Sequence, residues 1–368
     1  GMTDAVAMRS RAKENLVFSV AALSEKERIR LSYEKREFIE LCSFNGRECN
    51  IDDDFKLHVD PVFGNCFTFN SDSSKNLTST RAGPMYGLVL MVRVNTSDYM
   101  STSEAAGVRL SIHGQLEYPF PDTFGYSAPT GFVSSFGIRR RKVERLPAPY
   151  GDCVQDGKDD KYIYRDHVYQ PEGCHRSCFQ HALIKSCSCG DPRLPLPPNA
   201  THCSAYNSAA RQCLETKMAE LGDFHHPNRL NCDCKQPCTH DAYGVTYSCA
   251  KWPSSAADAG DCDDMHPEEC VEHYKQQAAM LEIYYEQLNY ESLTETEAYG
   301  MVNLIADFGG QLGLWMGISV ITCMEFAVLI FDLATLCCQR RKERIRRKSL
   351  RKTTAHLEPV DFTKSDMY

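Results

Sequence analysis

Short runs in which apolar and polar positions alternate recur between residues 63 and 113, notably at 88–94 and 108–113, and predict antiparallel strands. Further strand-like runs fall at 130–146, 243–250 and 279–288, the last leading towards a long apolar segment. Residues 1–41 read instead as helical and charged. Ser24-Glu-Lys-Glu27 is a capping box, and it opens an amphipathic helix directed towards Leu41. Two more helical patterns lie at 175–185 and 209–222, and residues 117–129, with three prolines, read as turns. Within the run 130–146, Arg139, Arg140 and Arg141 fit either a proprotein-processing site or a solvated strand face, and the strand is preferred. No internal repeat, P-loop, nucleophile elbow or HExxH motif occurs, so nothing supports an enzyme.

The longest apolar segment is 308–338, beginning with FGGQLGLWMGISVITCM, 17 residues without a charge. At 31 residues it exceeds the ~20 a helix needs to cross a bilayer. The run 340–352, RRKERIRRKSLRK, follows with nine basic residues and one acidic. A basic flank marks the cytoplasmic side, which leaves the rest of the chain outside. The competing reading is a buried core helix followed by a basic tail.

Carboxylates inside such a segment normally face protein or water. On an unbroken helix Asp307, Glu325 and Asp332 project within about 20° of one another. Asp307 and Asp332 could equally sit at the two interfaces, whereas Glu325 has apolar neighbours on both sides. Gly309, Gly313 and Gly317 recur every four residues, a ridge that lets helices approach closely and points to several copies around a polar axis.

Composition fixes the compartment. Of 19 cysteines, sixteen lie between Cys42 and Cys270, a usage suited to an oxidising environment. The tight spacings Cys174-x3-Cys178, Cys187-x-Cys189 and Cys232-x-Cys234, with His225 and His226 nearby, allow a zinc reading. A disulfide ladder suits CxC spacings better, so no metal is expected. Glycosylation sequons begin at Asn76, Asn95 and Asn199 and agree with an extracellular face. The net charge of -8 argues against nucleic acid as a partner, and it conceals a division. Residues 339–368 carry ten Lys/Arg against four Asp/Glu, a net +6, leaving -14 on 1–338. A mean hydropathy of -0.41 excludes a polytopic membrane protein but permits one span. An outside N-terminal region needs a secretory signal or an earlier span. The best apolar stretch in 1–40, LVFSVAAL at 16–23, is too short to be either, so the chain is expected to begin inside a longer protein.

Several stretches, in order, carry a family resemblance: Phe63-Gly-Asn-Cys-Phe-Thr-Phe-Asn70, Gly107-Val-Arg-Leu-Ser-Ile-His113, Leu146-Pro-Ala-Pro-Tyr-Gly-Asp-Cys153 and Glu172-Gly-Cys-His-Arg-Ser-Cys178. They continue with Cys187-Ser-Cys-Gly-Asp-Pro192, Tyr285-Glu-Gln-Leu-Asn-Tyr290 and Asp307-Phe-Gly-Gly-Gln-Leu-Gly-Leu-Trp-Met-Gly-Ile-Ser319. The chain resembles the superfamily of degenerins, epithelial sodium channels and acid-sensing ion channels, most closely the nematode degenerins.

The resemblance implies an α+β fold: a disulfide-rich extracellular domain with a β-sheet palm core and helical thumb, plus one C-terminal transmembrane helix. The expected divisions are a helical, finger-like segment 1–41, a β-rich palm and finger region 42–149 and a Cys-rich thumb 150–240. Palm return strands and a wrist follow at 241–300, then a pore-lining helix 301–338 and a basic cytoplasmic tail 339–368. The implied function is a subunit of a trimeric, voltage-independent, amiloride-sensitive sodium channel in the plasma membrane, with mechanical gating suggested by the degenerin likeness. Partners would be the same or other degenerin subunits, membrane lipid, and extracellular-matrix or accessory proteins. No cofactor is implied beyond the permeant Na+.

By the same resemblance Gly317, Ile318 and Ser319 form the selectivity belt, where the pore helix is broken in acid-sensing members. Such a break would separate Asp307 from Glu325. Asp307 and Gly310 match the outer gate, Ala306 the small gate residue whose enlargement hyperactivates degenerins, and Glu325 a carboxylate below the belt. Tyr150 matches the aromatic at the thumb base that meets the first span. The implied disulfides are Cys42–Cys49, Cys153–Cys238, Cys174–Cys234, Cys178–Cys232, Cys187–Cys213 and Cys189–Cys203, with Cys262–Cys270 a plausible local pair. Cys66 normally pairs with a cysteine just past the first span, which this sequence does not contain, and Cys249 has no assigned mate. Two other readings stay open: a single-pass receptor or adhesion ectodomain, and a subunit that modulates full-length partners without conducting.

Overall fold

A computed structural model describes residues 4–75, 77–221, 232–254, 266–317 and 319–354. It divides into two units, Gly1–Thr296 and Glu297–Tyr368. The strands are β1 (Ile39–Phe44), β2 (Arg47–Glu48), β3 (Phe55–Asp60), β4 (Gly64–Phe69), β5 (Leu88–Arg93), β6 (Gly107–Ser111) and β7 (Gly125–Pro129). After them come β8 (Phe132–Glu144), β9 (Cys153–Val154), β10 (Gln236–Pro237), β11 (Thr239–Lys251), β12 (Ala278–Tyr285) and β13 (Glu291–Thr294). The helices are α1 (Ala5–Ala21), α2 (Glu25–Arg30), α3 (Lys35–Phe38), α4 (Ile51–Asp54), α5 (Pro171–Cys187), α6 (Ser208–Leu221), α7 (Pro267–Gln277), α8 (Met301–Met316) and α9 (Val320–Thr354).

The first unit is built on a seven-stranded sheet in the order β11-β8-β12-β5-β1-β2, with β13 also paired to β8. β12 runs antiparallel to β5 and parallel to β8, which makes the sheet mixed. β5 is apolar almost throughout because both its faces are covered. Leu88, Leu90 and Val92 join Ile39, Phe136 and Leu281 in one core, while Met91 packs with Tyr274 and Ala278 in another. Val92 is only 2% exposed, and burying such a side chain contributes about 1.5–3 kcal/mol. Gly87 lets β5 start under β12: a Cβ there would lie 2.3 Å from the Ile283 carbonyl oxygen.

Between β8 and β11 the chain forms a Cys-rich helical region around α5 and α6, called the thumb below. Parallel β9 and β10 close its base beside the Cys153–Cys238 disulfide. Phe179 and Leu183 of α5 and Leu214 of α6 are fully buried around Cys189, Leu194 and Cys203. Phe18 of α1 completes this core, and Arg11 pairs with Glu215 at 3.1 Å, so the first helix is docked on the thumb.

The helix expected from Ser24 to Leu41 requires correction. The capping box at Ser24 and Glu27 forms, but α2 stops at Arg30. Asn65 of β4 donates from Nδ2 to the carbonyls of Ile29 and Tyr33, both at 3.0 Å, and so satisfies the end of that helix from a distant strand. A second box at Glu34 and Glu37 starts α3, and from Ile39 the chain is already strand. The tri-arginine run lies within β8, where Arg139 pairs with Glu286, Arg140 with Asp241 at 2.8 Å and Arg141 with Glu291 at 2.7 Å.

The second unit carries α8 and α9. The segment 301–338, expected from the resemblance as one helix, is two helices, and α9 continues through the basic run instead of ending at 338. Among the described residues, the helix long and apolar enough to cross a membrane lies in α9, with mean hydropathy 2.0.

Candidate pore segment and the comparisons with known proteins

α8 ends because Gly317 adopts a left-handed conformation, φ 63° and ψ 18°, from which its N–H donates to the Gly313 carbonyl at 3.1 Å. A β-carbon is unfavourable in that region, so glycine suits the position. α9 begins three residues later, at Val320. The Ser319 hydroxyl accepts from the Thr322 N–H at 3.3 Å, and the Ser319 carbonyl receives the Cys323 N–H at 3.1 Å. Serine is thus the N-cap of α9. Ile318, between them, lies outside the described residues.

The break invalidates the three-carboxylate stripe projected across one helix. Within α9 the relation survives for Glu325 and Asp332, which lie seven residues apart and within about 20° of one face. Asp307 belongs to α8, where Tyr299 donates to its Oδ2 at 2.5 Å. Ala306, Gly310 and Gly313 of α8 fall within about 60° of one another, so Ala306 shares its face with glycines. A Cβ added at Gly309 or Gly310 would meet nothing within 4 Å. Most side chains of both helices are exposed, including Trp315 at 80% and Phe331 at 69%, a surface suited to lipid or to further copies.

Six disulfides join Cys42–Cys49, Cys153–Cys238, Cys174–Cys234, Cys178–Cys232, Cys187–Cys213 and Cys189–Cys203. These are the pairs the resemblance implies, and they consume the cysteines of the zinc alternative. Cys270 is also disulfide-bonded, while Cys262, together with His225 and His226, lies outside the described residues. Cys66 and Cys249 are free. Cys66 is paired in register with His58, and burial pushes its thiol up to about 12, which keeps it protonated and unreactive.

Asn95 is exposed at the head of a turn, with its Nδ2 donating to Asp98 at 2.6 Å, and Asn199 is exposed with φ 64°. Asn76 lies outside the described residues. Tyr150 is 51% exposed in the turn after β8, closed by the Gly151 N–H donating to the Pro147 carbonyl at 3.1 Å. Sequence reasoning passed over Tyr299 as the partner of Asp307, since a lone tyrosine before an apolar helix carries no periodic signal. It also passed over Arg176, 6% exposed, which spans from α5 to Asp122 at 2.8 Å and Glu172 at 2.7 Å.

The chain thus combines a disulfide-framed mixed-sheet domain with an apolar helical segment interrupted at Gly317. The family model for the amiloride-sensitive sodium channel matches residues 5–329, and the chain belongs to that family. Its members are ion channels, not enzymes. The chain is 62% identical to Degenerin deg-1 of Caenorhabditis elegans over 96% of its own length and 46% of that protein's. It is 56% identical to Degenerin mec-4 of Caenorhabditis briggsae, covering 96% and 46%, and 52% identical to Degenerin mec-10 of Caenorhabditis elegans, covering 94% and 48%. The chain thus spans about half the length of the curated relatives it matches.

Proposed function

We propose that the protein is a pore-forming subunit of a trimeric, voltage-independent, amiloride-sensitive sodium channel of degenerin type, gated mechanically and placed in the plasma membrane. The observation that carries this reading is the interruption at Gly317 and Ser319 inside an otherwise apolar segment. A helix that merely anchors an ectodomain gains nothing from a left-handed glycine, which frees backbone carbonyls that lipid cannot satisfy. Around a shared axis, those carbonyls and the Ser319 hydroxyl would replace part of the hydration shell of Na+. Glu325 and Asp332 would then lie on the cytoplasmic side of the belt as cation-attracting carboxylates. Asp307 and Gly310 would form the outer gate, with Ala306 packed among glycines of neighbouring copies, and Tyr150 would meet a membrane segment at the wrist. The disulfide-rich domain would face outward with glycans on Asn76, Asn95 and Asn199, and the basic run would face the cytoplasm.

The test is Ala306→Val in the full-length polypeptide, expressed in oocytes alone and with a second degenerin subunit. Added volume at a close-packed closed gate should hold it open, because dense packing tolerates no extra methyl groups. A constitutive, amiloride-blocked inward Na+ current is expected. Normal surface delivery with no current in either combination would favour a receptor or adhesion protein.

A further inference from the structure

We propose that Cys337 and Cys338 form a site of S-acylation, taking long-chain fatty acyl groups in thioester linkage at the cytoplasmic end of α9. Both thiols are free and exposed, and they occupy adjacent positions in a continuous helix. With Glu325 set at zero and about 100° per residue, Asp332 falls at about -20°, Cys337 at about 120° and Cys338 at about -140°. The pair straddles the side of the helix opposite the two carboxylates. The inference rests on the pore reading above: where the carboxylates turn to a watery passage, the cysteines turn to lipid.

Depth agrees with direction. Only Gln339 separates Cys338 from Arg340, the first residue of the basic run, so the thiols lie where hydrocarbon gives way to headgroups. Arg344, Lys348 and Arg341 project at about 100°, 140° and 160°, on the flank of the cysteines, and would hold that side against anionic lipid. Cys323 shares the face at about 160° but lies roughly 22 Å back along the helix, within hydrocarbon and away from any aqueous acyl donor. In a reducing cytoplasm the two juxtamembrane thiols stay available, unlike the ectodomain cysteines that are locked in disulfides.

In the reaction, a cysteine Sγ attacks the carbonyl carbon of a fatty acyl-coenzyme A thioester. An S–C bond to the cysteine forms, the bond from that carbon to the coenzyme sulfur breaks, and the coenzyme thiolate takes the proton the cysteine gives up. No electrons are transferred. The product carries one or two acyl chains beside α9, which would fix the lateral position of the helix end.

The experiment feeds alkynyl palmitate to cells expressing the full-length protein and measures label before and after hydroxylamine, which cleaves thioesters. Expected is hydroxylamine-labile label on the wild type, reduced to background in Cys337→Ser/Cys338→Ser, partly retained in each single variant and unchanged in Cys323→Ser. In the same cells, glycosidase shifts and the accessibility of a C-terminal epitope report orientation. With the epitope reachable only after permeabilisation, absence of labile label on the wild type overturns the proposal and leaves the orientation standing. Label retained in the double variant overturns it likewise. An epitope exposed on intact cells contradicts the orientation itself, and the acylation site falls with it.

Discussion

Gly317 and Ser319, two residues apart, perform opposite tasks on the same chain. The first closes α8 by donating to the Gly313 carbonyl at 3.1 Å, and the second opens α9 by accepting from the Thr322 N–H at 3.3 Å. Hydropathy does not register this break, because Gly-Ile-Ser is apolar enough to pass within a membrane helix. Ser319→Ala should remove the cap at a cost of about 1 kcal/mol, while Ser319→Thr retains a hydroxyl and most of the cap. Current amplitude per delivered channel should therefore fall for alanine and be largely kept for threonine.

Arg176 anchors the thumb to the loop before β7. Its side chain is 7% exposed, reaches Asp122 and Glu172, and lies 4.5 Å from the Phe120 ring centroid. Arg176→Met removes a buried guanidinium and its charge-assisted hydrogen bonds to the partly buried Glu172 and the exposed Asp122, and should cost about 1.5–3 kcal/mol. Thermal melting of the detergent-solubilised protein checks this. Arg11→Met, at a pair half exposed to water, should change the melt little.

The disulfides should differ in weight according to the chain they close. Cys153–Cys238 spans 85 residues and Cys42–Cys49 spans 7. With Cys174–Cys234 bridging most of the longer loop, loop-closure entropy gives about 3–4 kcal/mol for the first and about 2–3 for the second. Replacing both cysteines of each pair by serine should reduce surface delivery more at the thumb base than at the β1–β2 turn. Equal losses would contradict the estimate.

His58 supplies a pH dependence. It stacks edge-on with Tyr118 at 5.1 Å, its Nε2 has no hydrogen-bond partner, and His167 also meets Tyr118 edge-on at 5.1 Å. Burial holds the His58 imidazole below its ordinary value, helped by the positive charges of His167, His113 and Lys56 and opposed by Asp60. His167 is lowered too, chiefly by burial. Unfolding releases both to ordinary imidazoles that bind protons more readily. Stability is then full above about pH 6.5 and is lost as pH falls through the folded values. The melting temperature should drop between pH 7.5 and 5.5, with a smaller drop in His58→Gln.

Four strands of the sheet, β5, β8, β11 and β12, were legible because they alternate or, like β5, are apolar on both faces, whereas β1 fell partly under an expected helix and β2 and β13 carried no pattern. β11 outruns its expected span at Thr239, His240 and Asp241, polar positions that pattern reads as loop but that pair with β8, where Arg140 neutralises Asp241. The end of α2 was not legible, since Asn65 acts on it from 36 residues away. Cysteine spacing left many connectivities open, and family resemblance chose among them where physics alone could not. The glycine face of α8 was visible in part: the ridge at 309, 313 and 317 was read, but placing Ala306 beside Gly310 and Gly313 depends on α8 being a helix of its own.

The most direct test is the reversal potential of amiloride-blocked current when external Na+ is replaced by K+, measured for the wild type and for Gly317→Ala and Ser319→Ala. If the broken segment is the ion-selecting belt, the wild type should show a large negative shift and both variants a clearly smaller one. Identical shifts in all three, with current intact, would place selection elsewhere and contradict the account.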